Sequence, residues 1–315
     1  MSENLTIENG AQLQPKRVLS REKKRLIFYI LIVLLPLMQF SLFYIYVNLD
    51  MFLMAFRVYS LKGAGQIGYT HRWTLLENFQ KVFEILAEPG NQNLTFQTFA
   101  FYIMSLTFVP IGLFFSYYIY KNYMLSGLFR VMLYLPSIVS GVVMTMLYKY
   151  MFTHIFEVRM TLGALILYSF LTGFGANVVM YVSAMCGIDT SISESCQLDG
   201  ATPLREFWSV TVPMIFPTIV TFLVIGVAGI FTNQAGLFTF FDVHAAKDGY
   251  QTFGYYMYVQ SLQSGLVFDP GRTTDGGAQM TYPQLCALGM MITLIILPCA
   301  LGLRFLLERY GPSVD

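Results

Sequence analysis

Six apolar stretches, each about the length a helix needs to cross a bilayer, constrain this chain more than any other feature. They run Leu26–Val47, Phe99–Tyr120, Leu128–Tyr148, Thr161–Cys186, Val212–Phe231 and Leu285–Leu306. In lipid the backbone must satisfy its own polar groups, so stretches of this length are read as helices. Composition agrees: 12% of residues are charged, against about 25% in a soluble domain, and mean hydropathy is +0.57. The expected fold class is all-α, a polytopic membrane protein with six transmembrane helices and one helical loop on the cytoplasmic side.

The basic residues set the expected orientation. Lys16, Arg17, Arg21, Lys23, Lys24 and Arg25 directly precede the first span. A net charge of +1 gives no reason to invoke nucleic acid, and beside a span such a cluster reads as a cytoplasmic signal. Lys121 and Arg130 flank the second connection, and Arg304 and Arg309 close the chain. An even number of spans puts both termini in the cytoplasm. The expected organisation is a basic arm over 1–25, a membrane domain over 26–307 with a cytoplasmic loop at 187–211, and a tail over 308–315. That loop obeys the rule weakly, with Arg205 its one basic residue. The first span is too long for a cleaved leader and lacks a small-residue cleavage site.

Two longer segments face outward, Asn48–Thr98 and Thr232–Gln284. In the first, Tyr59–Thr70 reads as a Gly-rich loop. Thr74–Phe83 reads as an amphipathic helix with Leu75, Leu76, Phe79, Val82 and Phe83 on one face. In the second, Asp269–Gly277 reads as a turn-rich surface loop.

Several function classes lose support. The spans contain no Asp, Glu, Lys or His away from their ends, which disfavours proton relays and intramembrane aspartyl proteolysis. No His stands in a span to activate a serine. There is no phosphate-binding Gly-rich loop with Lys, so ATP is not bound by that route. Cys186, Cys196, Cys286 and Cys299 lack metal-site spacing and read as small packing residues. The chain is expected to need no metal or cofactor and to be no enzyme.

The polar loop after the fourth span has strong local signals. Ser191 with Glu194 fits a capping box, starting a helix expected from Ile192 to Asp199. Gly200 suits the left-handed position that ends it. Thr202 then Pro203 restarts a helix carrying Leu204, Phe207, Trp208 and Val210, and Pro213 marks entry to the fifth span. On this chemistry alone two readings stand. The pair of helices can lie at the headgroups, with Phe207 and Trp208 as interfacial rings. It can also be a preorganised dock for a soluble partner.

The spacing of this loop resembles the Glu-Ala-Ala motif of ABC-importer permeases. The matching positions are Glu194-Ser195-Cys196, then Gly200 after three residues, then Val210-Thr211-Val212-Pro213 after nine more. Asp199-Gly200-Ala201 is similar to the Asp-Gly-Ala core of the carbohydrate branch. Ser195 and Cys196 replace two alanines, and Val replaces Ile and Leu. Leu76–Phe79, Phe129–Pro136 and Tyr255–Tyr258 resemble further elements of that branch, so the resemblance spans 26–307. Gly271–Gln279 is extra length.

The resemblance implies a permease subunit of a binding-protein-dependent sugar importer of the maltose or oligosaccharide type. Implied partners are a second, different permease subunit, two cytosolic ATPase subunits, an extracytoplasmic solute-binding protein, a sugar and membrane lipid. Glu194, Ser195, Cys196, Asp199, Gly200, Ala201, Phe207, Trp208 and Pro213 would form the ATPase-coupling loop. Sugars need hydrogen-bonding groups and ring faces, so Gln39, Asn177, Thr232, Asn233, Gln234 and Tyr255 are candidate pathway residues, with Tyr256 and Tyr258 beside them. Each could equally make interhelical hydrogen bonds. An ATP-independent channel or carrier is the alternative function.

Overall fold

The computed structural model describes residues 21–61, 68–156, 160–266 and 279–312. Lys16, Arg17 and most of the basic arm lie outside them, as do Asp269–Gly277 and the last three residues. The chain divides into two units, Met1–Met51 and Phe52–Asp315.

α1 (Arg21–Phe40) passes through a wider helical stretch, Ser41–Tyr46, into α2 (Val47–Met54), whose last three residues belong to the second unit. None of the residues in these three stretches is buried. Every residue from Leu26 to Leu35 is an exposed apolar side chain, and a consecutive run of that length covers all sides of the helix. A helix apolar on every side is stable only in lipid or buried in protein.

The second unit continues with a two-stranded antiparallel ribbon, β1 (Arg57–Leu61) and β2 (Tyr69–Trp73), with Arg57 opposite Trp73. Tyr59–Thr70, expected as a loop, supplies parts of both strands. The strand-forming residues Val58, Tyr59, Tyr69, Thr70 and Trp73 pair across it instead, and the Arg57 guanidinium lies 4.5 Å from the Trp73 ring centroid. Next comes α3 (Glu77–Leu86). Of the face expected to be apolar and buried, Val82 is buried and Phe79 half-buried against the core, while Leu75, Leu76 and Phe83 are exposed and Asn78 joins the buried side. Asn78 turns the helix inward by donating to the Ala55 and Arg57 carbonyls at 2.7 and 2.9 Å. The Lys81 ammonium, hydrogen-bonded to Glu77, holds that carboxyl below its usual range.

The remaining helices are α4 (Gln92–Tyr120), α5 (Ser126–Ile138), α6 (Gly141–Tyr150, continued by Met151–Ile155) and α7 (Leu162–Met185). Then come α8 (Thr190–Leu198), α9 (Pro203–Glu206), α10 (Val212–Met214) and α11 (Phe216–Ala228). α12 (Leu237–Phe241), α13 (Phe253–Gln263) and α14 (Tyr282–Tyr310) complete the chain. Four described helical stretches are long and apolar enough to cross a membrane: Arg21–Met54, Pro89–Tyr120, Leu162–Met185 and Tyr282–Tyr310. The number reaches six if each of two bent pairs is one span.

Those bends correct the third and fifth expected spans. Leu128–Tyr148 is not one helix: Val139 and Ser140 are extended between α5 and α6. Pro136 in the last turn of α5 supplies no N–H and weakens the ladder there. Val212–Phe231 is not one helix either. Val212–Met214 ends the helical run Pro203–Met214, Ile215 leaves helical geometry at φ −92° and ψ 3°, and the axis turns 68° into α11. Pro213 and Pro217 bracket that elbow, and Pro217 fits the first turn of the new helix.

α7 is the hub of the packing, against α4 on one side and α5 on the other. Ser116 on α4 donates to the Gly112 and Val178 carbonyls at 2.7 and 3.1 Å. Gly175 on α7 lets the α5 backbone at Leu133 approach closely. Small residues at such crossings are how helices pack without a hydrophobic driving force. α11 packs on α14.

Candidate functional site

The polar loop between α7 and α11 is a helix, a glycine turn and a second helix. Asp189, not Ser191, caps α8, its carboxylate accepting from the Ser191 N–H at 3.0 Å. Those Ser191 hydrogen bonds hold the Asp189 carboxyl below the usual range. The helix therefore starts at Thr190, two residues before the expected Ile192. Glu194 is freed from capping: it is exposed and makes no hydrogen bond or ion pair among the described residues. Ser195 donates to the Ser191 carbonyl at 2.8 Å.

Gly200 has φ +74°, and a Cβ there would meet nothing within 4 Å. The position is left-handed, so the turn asks for glycine on backbone grounds alone. Thr202 caps the second helix by accepting from the Arg205 N–H at 3.4 Å, with Pro203 in its first turn. The helical run continues through the wider turn Phe207–Thr211 to Met214.

The two rings of this run face different ways. Phe207 is 1% exposed. It stacks on Phe114 at 4.7 Å and meets Tyr117 edge-on at 5.1 Å, both on α4. It therefore anchors the loop from behind and is not open to a partner. Trp208 is 52% exposed, Leu204 61% and Leu198 89%. Leu198, Leu204 and Trp208 carry the exposed apolar surface, and of the two rings expected at the interface or dock only Trp208 contributes. Ile188, Phe207 and Ile215 pack with Tyr181, Met185 and Ile219.

α4 and α7 line most of a half-open cavity of about 130 Å³. Its walls include Phe101, Phe108, Phe170, Phe174 and Tyr181, and its polar lining is Ser105, Ser169, Asn177 and Asn233. The Ser169 hydroxyl is buried with no hydrogen-bond partner among the described residues. A neighbouring cavity of about 330 Å³ shares Phe101, Ser105 and Asn233 and adds Thr98, Thr232 and Thr252. Asn177 lines the first cavity, Thr232 the second, and Asn233 both. Ring faces with a few convergent polar groups suit a small polar, ring-shaped solute.

Gln39 lies exposed on α1, in the first unit. Gln234 lines neither cavity. Tyr255 is 2% exposed, and its hydroxyl donates to the Asp242 carbonyl at 2.9 Å and accepts from the Ala245 N–H at 3.0 Å. It is a structural tie, and Tyr256 beside it is also buried. Tyr255→Phe should leave that N–H unsatisfied, at about 1–3 kcal/mol. The detergent-solubilised protein should melt lower while its solute preference stays unchanged.

Sequence reasoning missed Ser105, Ser169 and the four phenylalanines of the cavity wall. Isolated serines within α4 and α7 were the available signal. It also missed Lys121 and Glu206, which meet in a buried ion pair under the loop.

The fold and these sites define a class: a helical integral membrane protein with a ring-lined cavity carrying a few polar groups and a structured polar loop. Residues 108–315 match the family described as binding-protein-dependent transport system inner membrane component. The chain belongs to that family. A probable ABC transporter permease protein of Mycoplasma pneumoniae is 24% identical over 163 residues, 45% of this chain and 49% of that protein. The lactose transport system permease protein LacF of Rhizobium radiobacter is 32% identical over 114 residues, 30% of this chain and 38% of that protein. The chain spans about half the length, or less, of these curated relatives. A crystal structure of a bacterial alginate ABC transporter, in complex with an alginate pentasaccharide-bound periplasmic protein, matches in fold. Its TM-score is 0.68 at 18% identity, over 93% of this chain and 99% of that one.

Proposed function

We propose that this chain is the pore subunit of an ATP-driven importer for sugars or oligosaccharides, with alternating access driven by a separate ATPase docked on the 191–213 loop, carried on helical segments that run from Thr190 to Met214. The observation that carries the reading is the form of that loop within the family-matched region. It has a capped α8, a left-handed Gly200 turn and a second helix anchored from behind, with Leu198, Leu204 and Trp208 facing out. Glu194, Ser195, Cys196, Asp199, Gly200 and Ala201 form the contact turn. Phe207 and the bend after Pro213 hold it.

In this reading the loop and both termini are cytoplasmic, the basic arm, membrane domain and tail divide at 25 and 307, and the outward segments meet an extracytoplasmic solute-binding protein. A second, different permease subunit completes the pore, and two cytosolic ATPases complete the transporter. The aromatic and amide lining of the cavity, and the lactose and alginate systems among similar proteins, support a sugar as solute. ATP binding shifts the pore only if its two states contact the ATPases differently, which requires a loop rigid enough to transmit the difference.

Vesicles reconstituted with this chain, its partner permease, ATPase and binding protein should take up sugar only when ATP is present. Uptake by this chain alone in ATP-free vesicles would make it an autonomous channel or carrier instead.

A further inference from the structure

Three polar side chains tie the loop to the membrane helices. Lys121 follows the last residue of α4. Its ammonium pairs with Glu206 Oε1 on α9 and donates to Ser193 Oγ on α8 at 2.5 Å. Ser193 Oγ donates to Glu206 Oε1 at 2.8 Å. The Lys121 and Glu206 side chains are 13% and 5% exposed. The ammonium also lies 5.6 and 5.8 Å from the ring centroids of Tyr120 and Tyr117. The three residues close a triangle whose corners belong to three separate helical segments.

A buried ion pair adds little net stability, because desolvating both charges offsets their attraction. What it fixes is position, since neither charge can move away without being stranded. Both covalent routes out of the loop are bent. Toward α11 the axis turns 68° at Ile215. Toward α7 the chain turns through Gly187 and Ile188 before the Asp189 cap. The side-chain route is direct: α8 to Ser193, to Lys121, to the end of α4. One to two turns further along α4, Tyr117 and Phe114 take the Phe207 ring, and beyond them Gly112 to Phe101 line the cavity.

We propose that Lys121, Glu206 and Ser193 are positioning residues that weld the loop to α4. Displacement of α8 by the ATPase then moves the wall of the solute cavity through α4 and not chiefly through the bent continuation into α11. This rests on the reading of the loop as the ATPase dock. The Lys121→Met and Glu206→Gln variants each strand one partner. Ser193→Ala removes a corner without stranding a charge. The double exchange Lys121→Glu with Glu206→Lys restores the pair in reverse.

The test uses the full transporter in vesicles and reads ATPase retention and sugar taken up per ATP hydrolysed. ATPase retention should stay at the wild-type level in all variants. Uptake per ATP should fall by about 5- to 150-fold in the single charge variants, the range of a typical coupling energy, and less in Ser193→Ala. The double exchange should recover most of the loss. Normal uptake per ATP in Ser193→Ala and in whichever charge variants fold would overturn the weld while leaving the dock intact. Loss of ATPase retention that the double exchange does not repair would also overturn it, because the residues would then serve the docking surface itself. If the wild-type chain holds its ATPase elsewhere than on this loop, the docking reading fails and the weld with it.

Discussion

Replacing Gly175 with alanine should force α5 and α7 apart and sharply reduce the folded protein recovered from the membrane. A Cβ at this position would overlap the Leu133 carbonyl oxygen and stand 2.5 Å from its carbon. The obstacle is helix backbone, so no side chain can rotate out of the way. Overpacking of this kind costs about 1–3 kcal/mol, sometimes more. α7 also carries the cavity wall and packs on α4, so the shift would reach the site as well. Gly173, two residues earlier on α7, is the control. A Cβ there meets nothing within 4 Å, so alanine should be neutral or add up to about 1 kcal/mol of helix propensity. Melting temperature in detergent separates the two. Equal melting of both variants would mean that α5 and α7 do not cross at Gly175.

Placing aspartates at both Leu198 and Leu204 should abolish ATPase association and ATP-driven uptake while the chain still folds. Both side chains are exposed in the free chain, at 89% and 61%, so its own core loses nothing. Burying a leucine is worth about 1.5–3 kcal/mol. Losing two should therefore weaken docking by at least about a hundredfold. Leu75→Asp is the matching control, because Leu75 is 77% exposed but lies beside α3 in the segment read as outward. Co-purification in mild detergent should lose the ATPase for the double variant and keep it for Leu75→Asp.

Much of this arrangement was legible in the residues. Uninterrupted apolar length marked α4, α7 and α14, because length and lipid leave the backbone few choices. Local turn chemistry marked Gly200, Thr202 and Pro203 for the same reason: φ sign and capping are decided within a few residues. Where two local signals compete, sequence alone does not choose. Asp189 and Ser191 can both cap a helix, and Asp189 prevails two residues upstream. Apolar content also hides breaks. Val139–Ser140 and Ile215 interrupt helices without interrupting hydrophobicity. Contacts between distant segments leave no local trace. Lys121 read as an orientation charge, and its partner Glu206 stands 85 positions away. Tyr255 looked like a ring available to a sugar, but its burial depends on the Asp242–Ala245 turn closing over it.

The central claim is that the 191–213 loop is where an ATPase transmits work to this chain. A photo-crosslinking residue in place of Leu198, in the assembled transporter in its native membrane, tests it most directly. The expected product is a crosslink to the ATPase subunit whose yield changes when ATP is added, with none from the same probe in place of Leu75. A crosslink from the Leu75 position but not from the Leu198 position, or ATP-driven uptake with no ATPase adduct at the loop, would contradict it.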